Sequence, residues 1–229
     1  MKKILIVGAG KGIGQAIAEK HAGIAELWTT SRETEPDISS THRHWQASEE
    51  FPGDFLPDSL DGVVYCPGTI RLKPFERLTL DDFEEELDVN LKGAVRALRA
   101  AMPALKAAPQ ASVVLFSTVA VSTGMPMHAS VAAAKGAVEG LTRSLAAEYA
   151  PRIRFNAIAP SLTDTPLASG MLRTDRQREA AASRHPLERI GDSAELAALA
   201  GFLLSEESGW ISGQVLHADG GMSSIRKFA

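Results

Sequence analysis

A glycine-rich segment near the amino terminus is the first part of the chain whose residue types could do chemistry. In KILIVGAGKGIG, a short apolar run leads directly into Gly8, Gly10, Gly12 and Gly14. Glycine permits a tight turn, lets the backbone approach a pyrophosphate closely and opens a helix whose N-terminus attracts anions. The segment therefore predicts a nucleotide-binding loop. The alternative is a glycine turn with a purely structural role.

Two basic residues near this loop indicate which cofactor it would bind. Lys11 lies inside the loop, and Arg32 follows the second predicted strand, where an acidic residue would receive the ribose hydroxyls of NAD. Arginine at that position suits a 2′-phosphate instead. The neighbouring Glu33 complicates this interpretation, and both cations could also be ordinary solvated charges. The sequence favours NADP(H) over NAD(H).

The elements that must position this loop alternate between short β-branched runs and longer helical segments. Several of the runs are apolar on both faces, which is typical of strands covered by helices on both sides. The predicted strands are residues 3–7, 27–30, 44–46, 62–65, 112–117, 154–159 and 214–218. The predicted helices are residues 12–21, 81–106, 129–150 and 193–205. This alternation predicts an α/β fold: one Rossmann-like, doubly wound domain spanning residues 1–229, with about seven parallel strands and helices on both faces.

Two connections depart from the regular pattern. Residues 31–43, SRETEPDISSTHR, contain Pro36 and show no helical period, so a reduced or absent helix is expected there. Residues 161–191 are polar, basic and interrupted. They are expected to form short helices at the edge of the sheet, as a mobile substrate lid would.

Bulk composition excludes several classes of function. The chain has 229 residues, 45% of them hydrophobic, and its 24 basic and 28 acidic side chains give a net charge of −4. Neither a nucleic-acid partner nor a membrane surface is indicated by this balance. The single cysteine, Cys66, excludes an internal disulfide and fits a reducing, cytoplasmic location. The apolar runs are only strand-length, so no transmembrane helix is expected.

Taken together, the motifs resemble the short-chain dehydrogenase/reductase family over almost the whole chain. The glycine spacing is that of the family's loop, and LDVNLKGAVRALRAAMPAL looks like its fourth helix. SVVLFSTVA is similar to its serine-bearing strand, and KGAVEGLTRSLAAEYAPRIRFNAIAPSLTDTPL to its active-site helix and the strand and turn that follow. ERIGDSAELAALAGFLLSEESGWISGQVLHADGG resembles its closing helix and last strand.

The resemblance implies hydride transfer between a nicotinamide and an alcohol or carbonyl carbon, with a tyrosine as general acid/base. Lys135 matches the lysine that holds the nicotinamide ribose, and Asn90 matches the asparagine that holds a relay water. Thr118 occupies the position of the serine that orients the substrate oxygen. The tyrosine position, four residues before Lys135, holds Val131, and valine cannot donate a proton.

Other positions of the family's pattern change as well. The Asn-Asn-Ala-Gly that follows the fourth strand is replaced by Tyr65-Cys66-Pro67-Gly68, and Ser161 stands where a glycine follows Pro160. The motifs that build the expected site therefore match the family, while several residues at its border differ from the family's pattern. The positions expected to contact the cofactor are Gly8, Gly10, Lys11, Gly12, Ile13, Gly14, Arg32, Gly68, Lys135 and Pro160.

Three interpretations of the missing tyrosine remain open. The chain could be a reductase with a substitute acid, for which His128 is the nearest candidate because an enoyl-reductase branch of the family places its tyrosine seven residues before the lysine. Tyr65 and Ser130 are further possible donors. The chain could also be a weak enzyme whose proton comes from water or Thr118. Alternatively, it could be a non-catalytic NADP(H)-binding sensor or partner subunit.

Partners follow from the same resemblance. A small-molecule carbonyl or alcohol substrate is expected, with the lid determining which one. Relatives in the family assemble through their two long helices and their last strand and helix, so a homo-oligomer, either a tetramer or a dimer, is expected. No metal ligand set stands out.

Overall fold

The computed structural model describes residues 1–226 and contains the predicted sheet of seven strands, all of them parallel. The strands of this sheet are β1 (Lys2–Val7), β2 (Ala25–Ser31), β3 (Thr41–His44), β4 (Gly62–Tyr65), β5 (Ala111–Phe116), β6 (Ile153–Pro160) and β9 (Val215–Ala218). A separate pair, β7 (Thr163–Asp164) and β8 (Gly191–Asp192), was not predicted.

The strand order is β3-β2-β1-β4-β5-β6-β9, so the order reverses between β1 and β4. Ligands of open parallel sheets bind in the crevice at such a reversal, outside the carboxyl ends of the strands. The loops after β1 and β4 meet there, since the Cys66 amide donates to the Val7 carbonyl at 2.9 Å. The topology therefore places the glycine loop at the expected binding crevice.

Helices cover both faces of the sheet, as predicted. They are α1 (Gly12–His21), α2 (Leu80–Leu87), α3 (Gly93–Ala107), α4 (Val119–Thr123), α5 (Ala129–Tyr149), α6 (Asp175–Ala182) and α7 (Ser193–Leu204). Alternation along each strand divides the core into two layers. Leu5 and Val7 pack with α3 and α5 on one face, while Ile4 and Ile6 pack with α1 and α7 on the other. A single doubly wound domain follows from this arrangement.

Some boundaries differ from the predicted ones. The third strand ends at His44, where the predicted strand began, because Trp45 turns inward and its indole donates to the Glu49 and Glu50 carbonyls. The predicted helix over 81–106 is divided into α2 and α3 by a π-helical turn at Asp88–Lys92. Residues 32–40, all of them described, contain no helix, which confirms the expected thin connection.

The segment 161–191 contains the short helices expected of it. A 3₁₀ helix runs over Pro166–Met171, and α6 begins at Asp175 behind a capping box formed by Thr174 and Gln177. A small cluster of Ala168, Leu172 and Ala181 packs beneath them. Within residues 1–226 no helix is long and apolar enough to cross a membrane.

Candidate active site

At the glycines of the first loop, a side chain would either clash with neighbouring atoms or strain the backbone. Gly8 has a φ of +84°, in the left-handed region that glycine tolerates. A Cβ on Gly14 would lie 2.1 Å from the Gly8 carbonyl oxygen, and one on Gly10 would lie 2.2 Å from the Thr34 carbonyl oxygen. The loop is therefore folded tightly onto itself, and its residue types are dictated by that close packing.

The helix that follows the loop begins without a protein cap. Among the described residues no side chain accepts a hydrogen bond at the N-terminus of α1, and its first turn carries no acidic residue. The first amides of a helix need an acceptor, and the helix dipole favours an anion there. The narrow glycine loop and the uncapped helix together fit the pyrophosphate of a dinucleotide. Gly12 and Ile13 are the first residues of this helix, which begins where the sequence predicted it.

Arg32 and Lys11 flank the outer end of the loop, and both are more than half exposed. The Arg32 guanidinium forms an ion pair with Glu33 at 2.8 Å, and the Lys11 ammonium lies 4.0 Å from the same carboxylate. Glu33 therefore neutralises part of the charge of both cations.

Asn90 and Lys135 are brought together beside Gly68. A Cβ on Gly68 would lie 3.3 Å from Asn90 Oδ1 and 3.7 Å from Lys135 Nζ. Asn90 lies in the π-helical turn between α2 and α3, a type of helix defect that is frequent at functional sites. Lys135 is anchored by donating to the Phe116 carbonyl at 2.8 Å. Burial lowers the pKa of Lys135 to about 8, although Glu86 and Cys66 act to raise it.

Thr118 and Ser117 project differently from the end of β5. Thr118 is the N-cap of α4, and its hydroxyl accepts from the Ala120 amide at 3.3 Å. Ser117 is buried and donates to Glu139 on α5 at 2.7 Å. The Ser117 hydroxyl therefore already donates its proton to Glu139. Thr118 is only partly buried, and its hydroxyl can still donate a hydrogen bond.

The start of α5 carries Val131 and the residues that flank it. Val131 is 3% exposed, and the buried Ser130 hydroxyl has no hydrogen-bond partner within the described part of the chain. His128 is the N-cap residue, partly buried, and its Nδ1 lies 2.8 Å from the Pro126 carbonyl oxygen. Because that carbonyl can only accept, Nδ1 is the donor in this contact, and Nε2 takes no part in it.

The sequence also offered Tyr65 as a proton donor, and the structure places its hydroxyl elsewhere. The phenol donates to the Val89 carbonyl at 2.6 Å and packs against Gly93 of α3. Tyr65 is 2% exposed, and burial raises the pKa of its hydroxyl well above the ordinary value. Its side chain points to the α3 and α5 face of the sheet, whereas Cys66 packs toward the opposite face. Tyr65 is therefore a core residue in this structure.

Three features near the site were missed by sequence reasoning. Glu86 is buried and accepts from Asn90 Nδ2 at 2.8 Å. Thr165 lies beside the loop, since a Cβ on Gly12 would be 3.6 Å from Thr165 Cβ. Ser161 Oγ lies 2.8 Å from Nε2 of the buried His185. For Glu86 a signal existed, because an acid four residues before Asn90 lies on the same face of a helix.

The chain is similar to known proteins in both sequence and fold. A family model described as Enoyl-(Acyl carrier protein) reductase matches residues 13–223. A tropinone reductase homolog from Arabidopsis thaliana is 31% identical over 240 residues, covering 96% of this chain and 92% of the relative. Glucose 1-dehydrogenase from Gluconobacter oxydans is 31% identical over 249 residues, covering 99% and 94%. Gluconate 5-dehydrogenase from Burkholderia cenocepacia, solved in complex with NADP and tartrate, has a TM-score of 0.90 at 26% identity, covering 98% of this chain and 96% of that one.

Proposed function

This chain belongs to the short-chain dehydrogenase/reductase family, and on that premise we propose that it is an NADP(H)-dependent oxidoreductase that interconverts a carbonyl and an alcohol. The observation that carries the proposal is the meeting of Asn90 and Lys135 beside Gly68, next to the crevice that holds the glycine loop. The nicotinamide supplies or accepts the hydride when it is bound.

The proposed preference for NADP(H) rests on residues that follow the carboxyl ends of β1 and β2. The uncapped start of α1 would receive the pyrophosphate, and Arg32 with Lys11 would receive a 2′-phosphate. The solved gluconate 5-dehydrogenase contains NADP, which supports the same choice here. Lys135 would hold the nicotinamide ribose, and Gly68 and Pro160 would border the ring from the ends of β4 and β6.

The roles of the remaining side chains follow from their positions. Thr118 would orient the substrate oxygen with its hydroxyl, and Asn90 would hold a water between itself and Lys135. Position 131 is a valine in place of the family's tyrosine, so the proton must come from another group. His128 is a candidate because its Nε2 is available. The segment 161–191 would act as the substrate lid, because its 3₁₀ helix begins next to Gly12 of the loop.

Relatives indicate which substrates to test. Two of them are named for glucose and gluconate, and a third for tropinone. The experiment is NADPH oxidation with aldoses, keto acids and cyclic ketones, and NADP⁺ reduction with the matching alcohols, for wild type and Val131→Tyr in parallel. Turnover by wild type supports an enzyme with an unusual proton source, and loss of that turnover in His128→Ala would assign it to the imidazole.

A second candidate function is a non-catalytic NADP(H)-binding protein. Two observations favour it. Position 131 is a buried valine, which cannot donate a proton, and the Tyr65 hydroxyl donates its proton to the Val89 carbonyl. In that case wild type binds NADPH without turnover, while Val131→Tyr gains activity because the rest of the frame is intact. Absence of NADPH binding by both proteins would overturn both candidates.

We also propose that the chain forms a homo-oligomer through α3 and α5. A groove between the outer faces of these helices has an apolar floor, with polar side chains at Lys92, Arg96 and Ser144. Its apolar lining consists of Leu91, Val95, Ala137, Gly140 and Leu141. Small side chains on α5 would let the same helix of a second copy approach closely.

A further inference from the structure

A continuous chain of hydrogen bonds links polar side chains of β2 and β3. His42 Nδ1 lies 2.9 Å from Thr29 Oγ1, and His42 Nε2 lies 3.1 Å from Ser31 Oγ. Beyond Thr29 the chain continues to Ser40, whose hydroxyl lies 2.9 Å from that of Thr29. Thr29 and Ser31 point to the same side of β2, since side chains alternate along a strand. The imidazole of the edge strand therefore bridges two hydroxyl groups of its neighbour.

The Ser31 end of this chain reaches the glycine loop. A Cβ on Gly10 would lie 3.0 Å from Ser31 Cβ, so the two residues are packed directly against each other. Lys11 follows Gly10 in the chain, and Arg32 follows Ser31. These are the two cations proposed to receive a 2′-phosphate. Ser31 therefore contacts both the imidazole of His42 and the loop that carries Lys11.

A phosphate oxygen accepts hydrogen bonds, so a phosphate at Ser31 selects one arrangement of protons in this chain. For the Ser31 hydroxyl to donate to the phosphate while it contacts the ring, it accepts from His42 Nε2, which then carries a proton. In the neutral imidazole, Nδ1 accepts from Thr29, which accepts from Ser40. In the imidazolium, Nδ1 donates to Thr29 instead. Both states let Ser31 donate, and the charged state also attracts the phosphate.

The ionisable groups that face His42 act on it in both directions. Burial lowers the pKa of His42, the charge of Glu35 acts to raise it, and His44 and Arg43 act to lower it. His44 belongs to the same strand, and its ring centre lies 5.2 Å from that of His42. Glu35 lies in the helix-free segment between β2 and β3. The ring is therefore mostly neutral at about pH 7, and a nearby anion would favour its protonation.

We propose that His42 is a positioning residue that favours the 2′-phosphate of NADP(H) by presenting the Ser31 hydroxyl as a donor and by taking up a proton when the phosphate binds. This deepens the proposed oxidoreductase function and rests on it, because the phosphate belongs to the proposed cofactor. One N–H bond forms on the imidazole, the proton comes from the buffer acid in solvent, and nothing is oxidised or reduced. His42 acts on the choice of cofactor and not on the hydride.

Calorimetric titration measures the proton directly. NADP⁺ and NAD⁺ are titrated into wild type, His42→Gln and His217→Gln at about pH 7, in two buffers of different ionisation enthalpy. The difference in heat between the buffers gives the number of protons taken up on binding. His217 is the matched control because it is an exposed histidine on β9, at the opposite edge of the sheet from β3.

Wild type should take up a fraction of a proton with NADP⁺ that His42→Gln does not take up, and His217→Gln should match wild type. With NAD⁺, which has no 2′-phosphate, the three proteins should not differ. A phosphomonoester itself titrates near about pH 6. This contribution is the same for wild type and variants, so the comparison between proteins removes it.

The affinity for NADP⁺ provides a second readout. A bound phosphate raises the pKa of His42, so the added affinity is fully present below the pKa of the free protein and is lost as pH rises through that of the complex. From about pH 8.5 down to about pH 5.5, the ratio of the dissociation constants of His42→Gln and wild type should rise by up to about tenfold, as one unit of pKa change gives. The same ratio for NAD⁺ should stay constant.

A merely structural His42 would weaken the binding of both cofactors at every pH and leave proton uptake unchanged, and that result overturns the proposal. If His42→Gln does not fold, wild type still decides, because equal proton uptake with NADP⁺ and NAD⁺ rejects the role of His42. Binding of NADP⁺ without the extra proton rejects this role alone. Absence of binding of either cofactor to wild type rejects the oxidoreductase function itself.

Discussion

Arg32 and Glu33, neighbours in the chain, form an exposed ion pair of 2.8 Å at the outer end of the glycine loop. The side chain proposed to recognise a 2′-phosphate is thus held by an adjacent acid. Exposed ion pairs contribute about 0–1 kcal/mol, so a phosphate can compete for the guanidinium, at some cost in affinity.

Removing this competitor should strengthen NADPH binding. Glu33→Gln is expected to bind NADPH up to about fivefold more tightly. In this variant the Arg32 guanidinium does not have to release a carboxylate before it binds the 2′-phosphate. NADH affinity should change much less, since NADH lacks the 2′-phosphate. Fluorescence titration with both cofactors measures the ratio. Glu35→Gln, which removes an exposed acid from the same segment, is the control. An equal gain in NADPH affinity in both variants would show that the change in net charge, and not the loss of the Arg32–Glu33 ion pair, causes the effect.

Two helix glycines should respond oppositely to alanine. Gly14→Ala places its Cβ 2.1 Å from the Gly8 carbonyl oxygen and should abolish NADPH binding and lower the melting temperature. A Cβ on Gly136 meets only Val121, at 3.8 Å, so Gly136→Ala should stabilise the chain by about 0.5–1 kcal/mol. Thermal unfolding and cofactor titration of both variants test this. Normal cofactor affinity in Gly14→Ala would contradict the assignment of the loop.

The Ser161–His185 hydrogen bond should hold the segment 161–191, the proposed lid, against β6. His185 Nδ1 lies 2.9 Å from the Ala181 carbonyl, so Nε2 accepts the Ser161 hydroxyl. Ser161→Ala leaves that buried nitrogen unpaired and should cost about 1–3 kcal/mol of unfolding free energy. Trypsin should then cleave faster at the exposed Arg173 and Arg176. Ser183→Ala removes an exposed hydroxyl from the same segment, and equal cleavage rates in the two variants would argue against this anchor.

The groove between α3 and α5 can be tested at Gly140. A Cβ there meets no atom within 4 Å in the described chain, so Gly140→Glu should leave the fold of one subunit intact. In an oligomer built on this groove, the same change places a charge in an apolar contact and should lower the mass measured by light scattering. Ala180→Glu, an equal change on the exposed face of α6, should keep the wild-type mass. An unchanged mass for Gly140→Glu would exclude this face.

Most of the frame was predictable from the sequence because its signals are local. Parallel strands that are buried on both faces consist of apolar residues in an unbroken run. Each glycine of the loop is required by its backbone conformation or by close packing. The third strand and the long helix over 81–106 were placed less well. Trp45 turns inward through contacts along its own segment, and the π-helical turn at Asn90 belongs to a helix that otherwise has an ordinary helical pattern.

The sequence by itself determined the sheet, the loop and the absence of tyrosine at position 131, since these depend on residue type and on spacing along one element. Only the tertiary structure decided which polar groups meet. It buried Glu86 against Asn90, brought Asn90 and Lys135 together beside Gly68, turned Tyr65 into the core, and joined Ser161 to His185 across 24 residues. Burial and distance set the pKa values of such groups, and both come from packing between elements that no local pattern encodes.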